Sequence, residues 1–380
     1  MSKYSPAAQA AAVICELNPL HNGHLRLLSM IRERLPGAAV CAVMSGEFVQ
    51  RGECAVYDKY KRAELAVRCG FDLVIELPPP YSFGAAERFA RGGVGLIDSL
   101  GVFTHLAFGC SPGSGARLTE AAARMSSPGF EAVLRERLSA SSGGSYIESK
   151  GEAYRLLYGE DMPDAPNDIL AVEYLTAIDR IGSGIEPVFL DRQEGWSATA
   201  ARAAIRSGDA AALSSIVPPG MADMLGSPAA DMENAFPAIA WRLRTADPEE
   251  LTDIADVGGG SENLIIKSAR EAGSWDELVR AVSGKGISLA RARRTLLSCF
   301  LGVKASDYPT PPGYALLLAA GPGGMPLLRD MKKRSRIKII SRPAEADDRI
   351  LLSAEELYSL CFRPAREAGW AAKGRVYITG

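Results

Sequence analysis

Histidine is scarce in this chain: three residues among 380. There is no C-x-x-C pair, and the seven cysteines are an odd number. These absences exclude a disulfide framework and argue against a structural zinc, since neither paired spacing nor enough imidazoles are present. The cysteines read as small apolar residues of a reducing compartment. No apolar run reaches the roughly 20 residues that a membrane-spanning helix needs. The N-terminus "MSKYSPAAQAAAVICEL" lacks a basic n-region and an A-x-A cleavage pattern, so the expectation is a cytoplasmic protein without membrane attachment. Internal repeats and long low-complexity segments are also missing.

What is present is ordinary in bulk: 47% apolar residues, 23% charged, and a net charge of −2. The length suggests two domains, at roughly 100–200 residues each. The charge is uneven. Lys267 to Arg342 holds 15 Lys and Arg against 5 Asp and Glu, leaving the rest of the chain acidic. A basic segment in a neutral chain points to a polyanion partner.

The first half alternates short apolar runs with helical patterns. "AAVICEL", "AAVCAVM", "FDLVIELP", "THLAFG" and "IEPVFL" read as buried strands. Helices are expected near 24–35, 59–69, 83–100, 116–125, 130–138, 169–181 and from "SATAARAAIRSG". Continuous apolar strands separated by helices predict an α/β fold: a Rossmann-like parallel sheet with helices on both faces. After about Ser207 strand signals fade, and only "RIKIIS" and "RVYITG" look extended. The expected division is therefore 1–207 as a sheet domain and 208–380 as a mostly helical, basic domain.

Two of the three histidines fall in "VICELNPLHNGHLRLL", three positions apart, where the first strand hands over to a helix. Ligands of parallel sheets bind at such strand ends, and a helix N-terminus offers free N–H groups. His21 and His24 can share one face there and donate to phosphate oxygens as charge builds on phosphorus. Gly23 is expected to let the backbone approach a ligand. With only His105 left, a zinc site is not supported.

The H-x-G-H turn resembles that of the HIGH-type nucleotidyltransferases, which bind ATP and act at its α-phosphate. "SATAAR" then resembles their second phosphate motif, and the matching residues are Ser197, Thr199 and Arg202. Longer strings resemble one family within that group, the bacterial tRNA(Met) cytidine acetate ligases: "CELNPLHNGH", "VMSGEFVQRGECAVYDKYKRAELAV", "GFDLVIELP", "SFGAAERFARGGVGLIDSLGV", "APNDILAVEYLTAI", "WSATAARAAI" and "KKRSRIKIISRP". The resemblance implies activation of acetate by ATP as acetyl-adenylate. Transfer of the acetyl group to the exocyclic amine of the wobble cytidine of elongator tRNA(Met) would follow. It implies ATP-site residues Ile14, Glu16, Asn18, Pro19, Asn22, Gly23 and Leu27, then Gly109, Asn167 and Arg192, with Mg²⁺ as companion.

Several positions depart from the family pattern. Leu17 and Leu20 replace its usual aromatics, Asp168 follows Asn167 in "PNDIL", and Ala201 stands in the phosphate motif. Asn167 after Pro166 reads as a helix N-cap. The polar loop 45–58 carries Glu47, Gln50 and Arg51, with Lys59 just beyond. It is expected to line the acetate and cytosine pocket and to exclude water. Phosphate-backbone contacts with tRNA are expected from Arg291, Arg293, Arg294, Lys332, Lys333, Arg334, Arg336 and Lys338. Two other functions compete: a small-molecule adenylyltransferase or acid ligase of the same superfamily, and a tRNA-binding protein with an inactive nucleotide site. The residues leave oligomeric state and metal ligands open.

Overall fold

The first element among the described residues is an apolar strand, β1 (Ala10–Cys15), whose residues are nearly all buried. Alternate side chains leave it on opposite faces. Ala10, Ala12 and Ile14 enter one core, and Ala11 and Val13 enter the other. Burial on both faces is why no polar alternation marks this strand. The computed structural model describes residues 9–140, 146–192, 195–219, 227–258, 260–284 and 287–379.

In chain order, α1 (Asn22–Arg34) leads to β2 (Ala39–Ser45), a small hairpin of β3 (Phe48–Val49) and β4 (Glu53–Cys54), and α2 (Lys59–Arg68). Next come β5 (Leu73–Leu77), α3 (Ala86–Leu100) and β6 (His105–Cys110). Helices α4 (Gly115–Met125), α5 (Pro128–Ala140), α6 (Tyr146–Tyr158) and α7 (Pro166–Ile181) precede β7 (Glu186–Asp191) and α8 (Ala198–Ser207). The expected elements are present, and α6 is one that the sequence pattern did not suggest.

Strands β5, β2, β1, β6 and β7 are parallel neighbours in that order. From β1 the chain builds outward through β2 and β5, then crosses to β6 and β7 on the other side. The carboxyl ends of β1 and β6 therefore flank the switch point, where a crevice opens.

The second half begins with helices, as expected: α9 (Ala210–Ile216), α10 (Met232–Arg244), α11 (Pro248–Thr252), α12 (Ser261–Glu271), α13 (Trp275–Val282) and α14 (Leu289–Leu301). It then departs from expectation. β8 (Tyr314–Ala320) is fully buried and pairs antiparallel with β5, so residues beyond 208 complete the central sheet. α15 (Gly324–Arg334) connects it to β9 (Lys338–Ile340). After α16 (Arg349–Leu360) comes β10 (Tyr377–Ile378), and both short strands run parallel to β8. The sheet is mixed rather than purely parallel. "YALLLAA" escaped notice because a short apolar run of Leu and Ala fits a buried helix segment as well as a strand. "RIKIIS" and "RVYITG" do form strands, at 338–340 and 377–378.

Candidate active site

The cleft at the switch point has a volume of about 280 Å³. It is floored by Ile14, Cys15 and Glu16 as β1 ends, and walled by His21, Gly23, His24 and Leu27 of the turn and α1. Gly109, Asn167 and Arg192 close the opposite side. Nine residues expected at the nucleotide site are thus gathered from five chain segments.

The histidines form a reciprocal cap. The Gly23 N–H donates to His21 Nδ1 at 3.1 Å, and the His21 N–H donates to His24 Nδ1 at 3.1 Å. A nitrogen that accepts a backbone N–H carries no proton, so each neutral ring keeps its hydrogen on Nε2. The rings lie 3.9 Å apart, centroid to centroid. Burial, aided by the Arg192 and Arg202 charges, pushes His21 down to about 4. Burial and the neighbouring His21 hold His24 well below its ordinary range. Both imidazoles are neutral Nε2–H donors at physiological pH, which lets them sit in contact without repulsion.

Gly23 has a different cause from the one expected. A Cβ there would lie 2.8 Å from the His21 ring, so the glycine makes room for the cap itself. Gly109 fits the ligand reading better. A Cβ would meet only the Leu190 carbonyl, at 4.0 Å, so what it leaves open is the cleft. Gly109→Val should therefore change unfolding free energy by less than about 1 kcal/mol, since strands accept β-branched residues. Its effect should appear as ATP affinity weakened by at least about tenfold in isothermal titration, the scale of ~1.4 kcal/mol of lost contact. Equal affinity in the variant would remove Gly109 from the site.

The other expected residues are placed unevenly. Asn167 is not the N-cap: Ala165 is, with Pro166 in the first turn, and this leaves the Asn167 side chain on the cleft wall. Asp168 is buried, accepts the Ser111 N–H at 2.8 Å and lies 3.6 Å from Arg117. That carboxylate fixes the loop after β6, a reason for the departure at this position. Asn18 lies behind the cleft, buried, and its Oδ1 accepts the Val56 N–H at 2.9 Å. Pro19 is enclosed with it, while Leu17 and Leu20 fill the core beneath. Asn22 opens α1 without lining the cleft.

Ser197 caps α8, accepting from the Thr199 and Ala200 N–H groups. Arg202 is buried and donates to the Asn18 carbonyl at 2.9 Å and to Thr199 Oγ1 at 3.4 Å. It holds the turn that presents the histidines. Ser197, Thr199 and Arg202 stand beside the cleft, not on its wall. Trp196, Phe108 and Tyr174 do line it, and sequence reasoning passed over all three. Phe108 and Tyr174 pack 5.6 Å apart, an apolar face for a base or a small acid. The available signal was adjacency: Trp196 precedes "SATAAR" and Phe108 precedes Gly109. Cys15, at the floor, has its thiol pushed up to about 12 by burial and is no nucleophile.

The loop 45–58 is a structural piece. Glu47 is 3% exposed, off the cleft, and burial raises its carboxyl well above the ordinary range. Lys59 is fully buried, 2.7 Å from Glu76 and in contact with Glu355. Arg62 donates to four carbonyls: those of Glu16, Ser45 and Gly46, where β1 and β2 end, and that of Tyr57 before α2. The Gln50 N–H donates to Glu16 Oε1 at 3.0 Å, and Arg51 is exposed. None of Glu47, Gln50 or Arg51 lines the cleft.

The arginines of "ARARR" explain where this loop rests. Arg293 pairs with Glu53 at 3.1 Å, and Arg294 donates to the Gln50 carbonyl at 3.3 Å. Gly52, at φ +71°, packs so closely that a Cβ would lie 2.6 Å from the Arg294 nitrogen. Arg291 is half-buried on the same helix. Lys332, Lys333, Arg334 and Lys338 are exposed on the surface, while Arg336 is paired with Asp98.

The HIGH nucleotidyl transferase family model matches residues 8–369. The chain belongs to that family. Within it, the chain is one of the tRNA(Met) cytidine acetate ligases. The Caldanaerobacter subterraneus subsp. tengcongensis enzyme of that name is 32% identical, across 93% of this chain and 96% of its own length. The one from Syntrophomonas wolfei subsp. wolfei is also 32% identical, over 88% of this chain and 86% of its own. The Thermotoga maritima TmcAL crystal structure bound with alpha-thio ATP matches with a TM-score of 0.87. Its identity is 28%, and 98% of this chain and 100% of that one are covered. The fold of a HIGH-type family member, read from the turn at His21–His24, is therefore the fold observed.

Proposed function

We propose that this chain is an ATP- and acetate-dependent ligase that forms N4-acetylcytidine at the wobble position of elongator tRNA(Met). The observation that carries the reading is the pair of neutral imidazoles on the cleft wall at the switch point, each with its Nε2–H unpartnered among the described residues. In the first step an acetate oxygen attacks the α-phosphorus of ATP, the bond to the β,γ unit breaks, and pyrophosphate leaves. His21 and His24 donate hydrogen bonds to the phosphate oxygens whose charge grows, and Arg192 faces the same charge. In the second step the cytosine N4 attacks the acetyl carbonyl carbon. The carbon–oxygen bond to AMP breaks, and N4 loses a proton.

Mg²⁺ bound with ATP would neutralise phosphate charge. Among the described residues no cluster of three His, Cys, Asp or Glu is arranged for a metal. Mg²⁺ is commonly held by one or two carboxylates plus substrate phosphates, and Asp191 on the cleft wall fits that role. Residues 1–207 are assigned the ATP chemistry and 208–380 the RNA contacts, with Lys332, Lys333, Arg334 and Lys338 exposed for phosphates. Glu47, Gln50 and Arg51 act indirectly, as parts of a loop that shapes the acetate and cytosine end. No helix among the described residues is long and apolar enough to cross a membrane.

The test is direct. The purified protein, ATP, labelled acetate and unmodified tRNA(Met) should give acetate-dependent AMP and pyrophosphate, with N4-acetylcytidine in the digested tRNA by mass spectrometry. AMP formation with acetate but no labelled nucleoside would leave a small-molecule acid ligase. ATP binding without any turnover would leave an inactive nucleotide site.

A further inference from the structure

A second cavity, of about 560 Å³, lies between α3, α7 and the Thr310–Pro311 turn. It shares no lining residue with the ATP cleft. Three carboxylates and three arginines face it, and their pairing is unequal. Glu87 is taken by Arg180 at 3.5 Å and by the Tyr146 hydroxyl at 3.0 Å. Glu173 is taken by Lys150 at 2.6 Å. Asp98 is taken by Arg336 and by the Ser183 hydroxyl. The Thr176 hydroxyl is spent on the Val172 carbonyl.

Arg91 is left over. Its Nε is buried without a hydrogen-bond partner, and among the described residues its guanidinium makes no ion pair. A half-buried cation whose neighbouring carboxylates are all paired with other groups is costly unless something supplies an anion. Arginine's planar fork suits a phosphate or carboxylate.

The rim says which anion. Arg336 belongs to the basic segment 329–338, and its backbone N–H donates to the Ser99 carbonyl at 2.8 Å. That bond fastens the segment to the end of α3, where Arg334 also packs against Gly101, and Lys332, Lys333 and Arg334 are exposed one turn before Arg336 at the cavity wall. A polyanion lying along these side chains passes the opening.

We propose that this cavity seats a phosphodiester of the bound RNA, with Arg91 as its partner. The proposal rests on the tRNA reading above. Arg91 is a binding residue, away from the adenylation chemistry.

The experiment is filter binding of unmodified tRNA(Met) across a salt series, with wild type, Arg91→Met and Arg91→Lys, and Arg91→Gln as a second neutral variant should Met fold poorly. The neutral variants should bind at least about fivefold more weakly, with a log–log salt slope shallower by roughly one. Arg91→Lys should keep the slope, and ATP affinity should match wild type in every variant. Identical tRNA affinity and slope in the neutral variants overturns the proposal and leaves the ligase reading standing. Inorganic phosphate that raises the melting temperature of wild type but not of Arg91→Met, with tRNA affinity equal in both, assigns the cavity to a free anion and also overturns it. A wild type without salt-dependent tRNA binding overturns both readings.

Discussion

His24→Asn should lower the rate of acetate-dependent adenylation by about 10²–10³-fold, the usual effect of removing one preorganised donor from a developing charge. Asparagine is the informative replacement. Its Oδ1 takes the position of imidazole Nδ1, so it can still accept the His21 N–H that now bonds at 3.1 Å. What it loses is the Nε2–H. His21→Asn works the same way at the N-cap, where asparagine is among the best residues. Melting temperatures of both variants should stay within about 3 °C of wild type, because the cap survives. Pre-steady-state pyrophosphate release checks the rate, and calorimetry checks the fold. A normal rate in His24→Asn would sink the donor role and leave the imidazole as a cap.

The lowered His21 pKa, about 4, carries a consequence for pH. The adenylation rate should show no imidazole titration near 6.5, since the working form is already neutral there. Stability behaves differently. Below about 6.5 the unfolded chain takes up imidazole protons that the folded chain refuses. Folding stability is therefore full above 6.5 and falls as pH drops from there toward 4. Urea unfolding at pH 7 and pH 5 reads it.

Lys59→Met should be the most destabilising single substitution of those considered, by about 3–5 kcal/mol, the range for breaking a buried ion pair by deleting one partner. Lys59 is 0% exposed, and Glu47, Glu76 and Glu355, all at 3% or less, surround it. Each of the three carboxylates has one oxygen without a partner. Arg62, the other buried cation nearby, spends its donors on backbone carbonyls. Without the ammonium, three carboxylates would remain in a dry pocket. They could stay there only by taking protons, so the Glu47 and Glu355 carboxyls, already raised by burial, would be pushed further up. The variant should therefore be more stable at pH 5.5 than at pH 8. Adding Glu355→Gln and Glu76→Gln should recover most of the loss, because the unpaired charge is the cause. Urea midpoints of the single and triple variants decide it. A loss that the glutamines fail to recover would point to packing instead.

The loss would reach the active site through a short chain of contacts. Lys59 opens α2 directly after the loop 45–58, Glu76 lies near the end of β5, and Glu355 comes from α16. The cluster ties the second half of the chain to the loop that Glu16 and Asn18 also hold. Its geometry depends on a helix nearly 300 residues further along, and no local pattern in "SGEFVQRGE" announces that.

Some features were legible because local physics dictates them. Strands buried on both faces must be largely apolar, and β1, β2, β5 and β6 are, with Glu76 in β5 the charged exception. A turn after the first strand of a parallel sheet faces the switch point, and that alone places His21 and His24. The family strings gave Gly109, Asn167 and Arg192, which the fold brings to the same cleft. What stayed hidden is what a charge or an apolar residue meets across the fold. Glu47 and Arg294 read as polar, and polar side chains usually face water or ligand. Packing across the fold encloses them: Glu47 beside Lys59 and Glu355, and Arg294 against the Gln50 carbonyl of the hairpin. "YALLLAA" became a strand because β5 offered an open edge, not because its residues prefer extension. Local sequence determined the five parallel strands of the first half and the reactive turn, since periodicity and turn chemistry act over a few residues. Tertiary structure alone decided which charges are paired, because an ion pair joins groups whose separation along the chain carries no information about their separation in space.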